Sequence, residues 1–130
     1  MKAAIAKPRR QMSVSKLTGV DERTLENLVD VLKALSDRWR LMILMILAKD
    51  GETHVSAICK ALGLSQPAVS HHLTQLRNAG LISCRRDGKF NYYVIDSTLV
   101  GEILERFYGE TRGSQRKLTF GDLEVAFKTR

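Results

Sequence analysis

A chain of 130 residues with 44% hydrophobic and 27% charged side chains has the make-up of one folded, water-soluble domain with a modest core. Its longest apolar run, Leu41 to Ala48, is flanked by Arg40 and Lys49 and falls far short of the roughly 20 residues a membrane span needs. Two cysteines make no disulfide framework, and a formal charge of +7 points toward an anionic partner.

The N-terminal MKAAIAKPRRQ has no apolar stretch of signal-peptide length, so a cytoplasmic protein without membrane attachment is expected. The charge is unevenly spread. Residues 1–20 hold five basic side chains and no acid, residues 112–130 hold five basic and two acidic, and residues 21–111 sum to −1. Within that middle stretch Arg77, Arg85, Arg86 and Lys89 cluster against Asp87 alone. The local cluster says more about a partner than the total does.

Taken in order, residues 1–20 lack apolar periodicity and read as a basic flexible arm. Asp21 can cap a helix over about 22–35, in which Leu25, Leu28, Val29, Leu32 and Leu35 form one stripe. Ser36 can cap a second helix, about 37–49, whose apolar residues cover more than one face and suit a centre packed on several sides. A short third helix spans Val55 to Leu62, and Gly63 stops it. Ser65 caps a fourth, running to about Asn78, with Pro67 in the first turn where its missing N–H costs nothing. Two extended runs, Leu81–Arg86 and Lys89–Ile95, then flank Asp87-Gly88, a type I′ hairpin signal. Asp96 caps a last helix, about 97–110, carrying Leu99, Val100, Ile103, Leu104 and Phe107 on one side. Residues 112–130 form a C-terminal extension in which Leu123, Val125 and Phe127 alternate as in a short strand.

The fourth helix, SQPAVSHHLTQLRNAG, decides the function. On a helical wheel Val69, Leu73 and Leu76 fall within about 60° of one another and must face the core. Ser70, His71, Thr74 and Asn78 lie opposite, and His72 sits at the edge of the buried stripe. Adjacent histidines diverge by about 100°, whereas metal pairs on a helix want i, i+4 spacing, so a shared ion is a poor reading of His71 and His72. The outward face is polar but nearly chargeless except for Arg77. Hydroxyls, amides and imidazoles make the short, directional hydrogen bonds that reading base edges requires. A short helix, a tight turn and this longer helix make a helix-turn-helix, and a basic hairpin follows it directly. Positive charge on such a wing supplies affinity through counterion release, while the helix supplies discrimination.

LKALSDRWRLMIL (Leu32–Leu44), LSQPAVSHHLTQLRNAGLI (Leu64–Ile82) and RRDGKFNYYVID (Arg85–Asp96) together resemble the ArsR/SmtB family of winged-helix bacterial repressors, over about Leu25 to Tyr108. The resemblance implies a mainly α winged helix-turn-helix with a β-hairpin wing: four helices, two strands and a fifth helix (α-α-α-α-β-β-α). It also implies a homodimer formed through the first and last helices, bound to an inverted repeat in double-stranded DNA and repressing until an inducer binds. Base contacts then fall on Gln66, Ser70 and His71, with Ser65 and Thr74 on the same helix. Backbone contacts fall on Arg77, Arg85, Arg86 and Lys89. The stripes Leu25, Leu28, Val29, Leu32 and Leu99, Val100, Ile103, Leu104, Phe107 fit that dimer independently, because a domain this small cannot bury both against itself.

One feature of the family is missing. Its metal sensors carry Glu-Leu-Cys-Val-Cys-Asp at the start of the first motif helix; here the stretch reads Glu52-Thr53-His54-Val55-Ser56-Ala57. No histidine follows His72, so neither this site nor one on the last helix offers the three or four ligands zinc needs. No metal or other cofactor is expected. Cys59 beside Lys60 and Cys84 beside Arg85 allow a thiol-switched repressor as an alternative; the plainer reading is two small, partly buried apolar residues. A winged-helix module for a protein partner is the other alternative. A hydrolase built on His54, His71 or His72 lacks any accompanying nucleophile elbow, phosphate loop or ligand cluster, so no enzyme is expected.

Overall fold

Side chains of Asp21, Asp37, His54 and Ser65 cap the starts of four helices. The computed structural model describes residues 12–108, 115–120 and 122–128. One short turn, α1 (Val14–Thr18), precedes α2 (Glu22–Leu35). Asp21 starts α2 by accepting a hydrogen bond from the Thr24 N–H at 2.9 Å, satisfying one of the orphan donors of a helix N-terminus. Then comes α3 (Arg38–Asp50), whose cap is Asp37, accepting from the Arg40 N–H at 3.0 Å, and not the expected Ser36. The Arg40 guanidinium reaches back to the carbonyls of Ala34 (2.5 Å) and Lys33 (3.3 Å) at the end of α2. One corner thus uses an acid to close one helix and a base to close the other, as their dipoles favour.

A two-residue strand, β1 (Thr53–His54), leads into α4 (Val55–Leu62). Gly63 ends α4 at φ +66°, a left-handed turn open to glycine at little cost, and the chain re-enters a helix at α5 (Gln66–Asn78). Next, β2 (Ile82–Asp87) and β3 (Phe90–Ile95) form the wing, followed by α6 (Thr98–Tyr108). The sheet order is β1-β3-β2, all antiparallel, with Thr53 opposite Tyr93 and Arg85 opposite Tyr92. A separate hairpin, β4 (Gln115–Phe120) with β5 (Leu123–Lys128), occupies the C-terminal extension. The fold is a mainly helical winged helix-turn-helix.

Several details differ from the sequence expectation. The elements α1, β1 and β4 are additional to it. The wing turn is displaced by one residue: Asp87 pairs with Phe90, leaving Gly88-Lys89 as the central residues. Gly88 has φ +58° and, among the described residues, no non-glycine residue has positive φ, so the turn follows the II′ pattern with glycine first rather than I′. A type I′ turn would force Lys89 into the left-handed region, which its Cβ disfavours.

The core joins Val31 and Ala34 of α2, Ile43 and Leu47 of α3, Val55 and Ile58 of α4, Val69, Leu73 and Leu76 of α5, Leu81 and Ile82, and Ile103 of α6. Side chains of this size contribute roughly 1.5–3 kcal/mol each on full burial. Of α3, only Ile43 and Leu47 are fully enclosed, while Leu41 and Met45 are exposed. The helix packs against α2, α4, α5 and β3, as expected of one with several apolar faces, and leaves one face open. Leu41, Met45, Ile95 and Val100 line an open apolar groove of about 370 Å³.

Candidate nucleic-acid interface

Helix α5 is held by its inner face. Val69, Leu73 and Leu76 are 0–1% exposed, so the orientation of the opposite face is fixed by the core. Ser65 caps the helix, its hydroxyl oxygen accepting from the Ala68 N–H at 3.4 Å. Ser65, Gln66, His71, Thr74 and Arg77 are exposed, and Ser70 is half-buried among them. The Thr74 hydroxyl donates to the Ser70 carbonyl at 2.9 Å, so its proton stays within the helix and only its lone pairs face outward. His71 and His72 diverge, their ring centroids 5.7 Å apart and tilted by 59°. His72 turns inward, and its Nδ1 is buried 3.8 Å from Asp37 Oδ1 with no hydrogen-bond partner.

The wing is less uniform than its sequence. On β2 successive side chains alternate in face, so Arg85 shares a side with Asp87, and Arg86 points to the other. Arg85 donates from Nε to both Glu52 carboxylate oxygens at 3.2 Å and from a terminal nitrogen to Oε1 at 2.5 Å. It also lies 3.7 Å from Asp87 and 5.0 Å from the centroid of the Tyr92 ring. The Arg85 hydrogen bond holds the Glu52 carboxyl below the usual range, and the same bond raises the guanidinium pKa further. The Arg85 guanidinium is thus engaged by Glu52 and Asp87 while more than half of its side chain stays open to solvent. Arg86 donates to the Gly88 carbonyl at 3.2 Å. Among the described residues Arg77, Arg86 and Lys89 make no ion pair.

Glu52 is the residue that the sequence reading missed. It lies 33 positions from Arg85, and a two-residue strand gives no periodicity to announce the pairing that brings them together. His54 has its own duty: Nδ1 accepts from the Ser56 N–H at 3.1 Å, and its ring edge packs on Phe90 and Tyr92 at 4.9 and 5.5 Å. Glu52 is thus held by Arg85, and His54 uses Nδ1 to cap its own helix. Among the described residues no three His, Cys, Asp or Glu side chains cluster as a metal site would require. The donor set at this position does not fit the family's metal site.

Both thiols are half-buried and free; Cys59 packs against the core and Cys84 pairs across the sheet with Tyr93. Burial, and then the neighbouring Cys84, push the Tyr93 phenol above its usual pKa.

On the outer faces of the terminal helices, Val29 is 39% and Leu32 56% exposed, Leu25 is half-buried, and Leu28 leans on the core. Leu99 and Val100 also pack partly against the core. Ile103, expected at a dimer interface, is only 4% exposed and packs into its own subunit's core. The side chains of Leu104 and Phe107 lie outside the described residues. No described helix is long and apolar enough to cross a membrane.

Residues 37–83 match the sequence pattern of the family described as bacterial regulatory protein, arsR family. An uncharacterized HTH-type transcriptional regulator of Methanocaldococcus jannaschii is 40% identical over 80 residues, covering 62% of this chain and 90% of that protein. The chain belongs to the ArsR family. This ArsR-family chain is similar also to the arsenical resistance operon repressor of Escherichia coli, 42% identical over 65 residues, which are 50% of this chain and 56% of that one. Among solved structures, the homodimeric winged helix-turn-helix DNA-binding domain Mb0332 of Mycobacterium bovis superposes with a TM-score of 0.57 at 28% identity, covering 80% of this chain and 98% of that one. The ArsR-family protein is a DNA-binding transcription regulator and not an enzyme.

Proposed function

We propose that this regulator is a homodimeric, cytoplasmic repressor that reads an inverted repeat without a metal effector. The observation that carries this reading is the outward face of α5: Gln66, Ser70, His71 and Thr74, polar and uncharged, on a helix clamped from behind by Val69, Leu73 and Leu76. Hydroxyl, amide and imidazole groups there suit the donor and acceptor pattern of the major groove. Arg77, Arg86 and Lys89 flank that face and supply phosphate contacts, which add affinity without sequence information. Ser65 contributes chiefly as the cap.

Twofold pairing is supported by the exposed Val29 and Leu32 and by the homodimeric state of the Mycobacterium bovis relative. Leu25, Leu28, Leu99, Val100, Leu104 and Phe107 complete the proposed contact; Ile103 does not belong to it. Isologous pairing makes the site palindromic, with half-sites about one helical turn, roughly 34–36 Å, apart. Repression is supported by the Escherichia coli relative, of which this chain spans 56%. The Glu52–Arg85 pair and the capping role of His54 favour a switch that is not metal-based. The arm over 1–20 adds sequence-independent phosphate contacts.

Selection of duplexes from a randomised pool, followed by footprinting, tests the reading. The expected result is a palindromic footprint, and lower output from a reporter carrying that site upstream. Recovery of unrelated sequences without a common half-site would refute it, and raised output would reverse the sign of regulation. A protein-interaction module would show neither a shared half-site nor a steep salt dependence of duplex affinity.

A further inference from the structure

The Glu52–Arg85 pair has a consequence for DNA binding, provided the duplex reading above holds. Three cations stand on the wing, yet they are not equivalent. Glu52 grips Arg85 through three N–H···O contacts of 2.5–3.2 Å, Asp87 approaches from the same strand face, and Tyr92 lies against the guanidinium. Arg86 and Lys89, at the turn, have no carboxylate of this kind among the described residues. Glu52 is anchored on the other side of the sheet's edge, directly before β1, which is paired to β3. Arg85 and Glu52 are both well exposed, with 54% and 37% of their side-chain surface open, so the pair is not there to bury charge. An exposed pair contributes little to stability. It does decide where the guanidinium points.

We infer that Glu52 withholds Arg85 from the phosphates and thereby limits the sequence-independent share of DNA affinity. A regulator must find one site among a large excess of others, and each added phosphate contact strengthens binding to all of them alike. Holding one wing cation in reserve lowers that background while leaving the reading face of α5 untouched.

The experiment is a salt titration of affinity for a random-sequence duplex by the full chain, comparing wild type, Glu52→Gln, Arg85→Ala and the double variant. A freed Arg85 adds one phosphate contact per subunit, steepening the log–log salt slope by about 0.9 per subunit bound. That equals roughly 3.5-fold more affinity lost between about 50 and 200 mM salt for each subunit. The expected result is a steeper slope for Glu52→Gln, the wild-type slope for Arg85→Ala, and no steepening in the double variant. A flatter slope for Arg85→Ala, equal to that of Arg86→Ala, would show Arg85 on the backbone and overturn the inference, with the duplex reading intact. Steepening that persists in the double variant would overturn it too, because Glu52 would then act as a bare repulsive charge. A wild-type chain without salt-dependent affinity would instead sink the duplex reading. Circular dichroism of each variant separates these outcomes from misfolding, and Arg85→Gln is a second variant that keeps polar bulk.

Discussion

Asp37 Oδ1 lies 3.8 Å from His72 Nδ1 while the same oxygen accepts the Arg40 N–H at 3.0 Å, so one carboxylate touches both the start of α3 and the inner edge of the reading helix. The backbone hydrogen bond from Arg40 chiefly lowers the Asp37 pKa, and the nearby charges of Arg40 and His72 lower it further against the cost of burial. Replacing Asp37 with alanine removes the cap and should cost roughly 0.5–2 kcal/mol of stability at neutral pH. Asp37→Asn keeps most of the cap and should cost less. Because the folded pKa is depressed, the ionised form's contribution is present above the unfolded value and fades as pH falls through the folded one. Urea unfolding at pH 7 and at about pH 3 should therefore show the gap between wild type and Asp37→Ala narrowing on the acid side. A gap that widens there would contradict the sign.

Leu73 and His71 are neighbours on α5 with opposite consequences. Leu73 is 1% exposed, and Leu73→Ala should destabilise the fold by about 2–5 kcal/mol in a denaturant titration. His71 is exposed, so His71→Ala should leave stability within about 0.5 kcal/mol of wild type. It should instead cost about 1–3 kcal/mol of affinity at one base-pair position and relax preference there. An affinity loss spread evenly over all sequences would place His71 on the backbone.

How much of this was legible in the sequence depended on the range of the interaction. The α5 stripe was fully readable, since Val69, Leu73 and Leu76 recur at helical spacing and the core occupies that side. Periodicity found the apolar stripe of α2 but not the face that the helix turns to its own subunit's core. Its buried residues are Thr24, Val31 and Ala34, small enough to let α2 approach its neighbours, while Val29 and Leu32 of the apolar stripe stay exposed. A stripe shows that a face is apolar, not which partner covers it. In the site, the polar face of α5 was local and was found. The state of Arg85 was not, because it rests on Glu52, brought near by a strand too short to leave a pattern.

The exposed Leu32 gives a direct test of the proposed twofold contact. At 56% exposure it can be changed without disturbing the subunit core, so Leu32→Glu should give a folded monomer by sedimentation and weaken binding to a two-half-site duplex. Ile103, 4% exposed, should behave differently: Ile103→Ala should lower stability by about 2–5 kcal/mol through the cavity it leaves. A dimer that survives Leu32→Glu would move the contact off this face of α2.

Gly80 closes the reading helix against the start of α6. Its φ of +77° lies in the left-handed region, and a Cβ built there would stand 2.7 Å from Leu99 Cδ2. Gly80→Ala therefore carries two costs, a backbone one of about 1–2 kcal/mol and a steric one set by how far Leu99 can move. The nearest atom is the far end of a flexible side chain, so the steric part should be the smaller, and the total about 1–3 kcal/mol by thermal or urea unfolding. A double-mutant cycle with Leu99→Ala separates them. Removing the Leu99 side chain abolishes the clash but not the strained φ, so Gly80→Ala should still cost about 1–2 kcal/mol in the Leu99→Ala background. A cost that vanishes there would mean that packing against Leu99, and not backbone conformation, is why glycine stands at position 80.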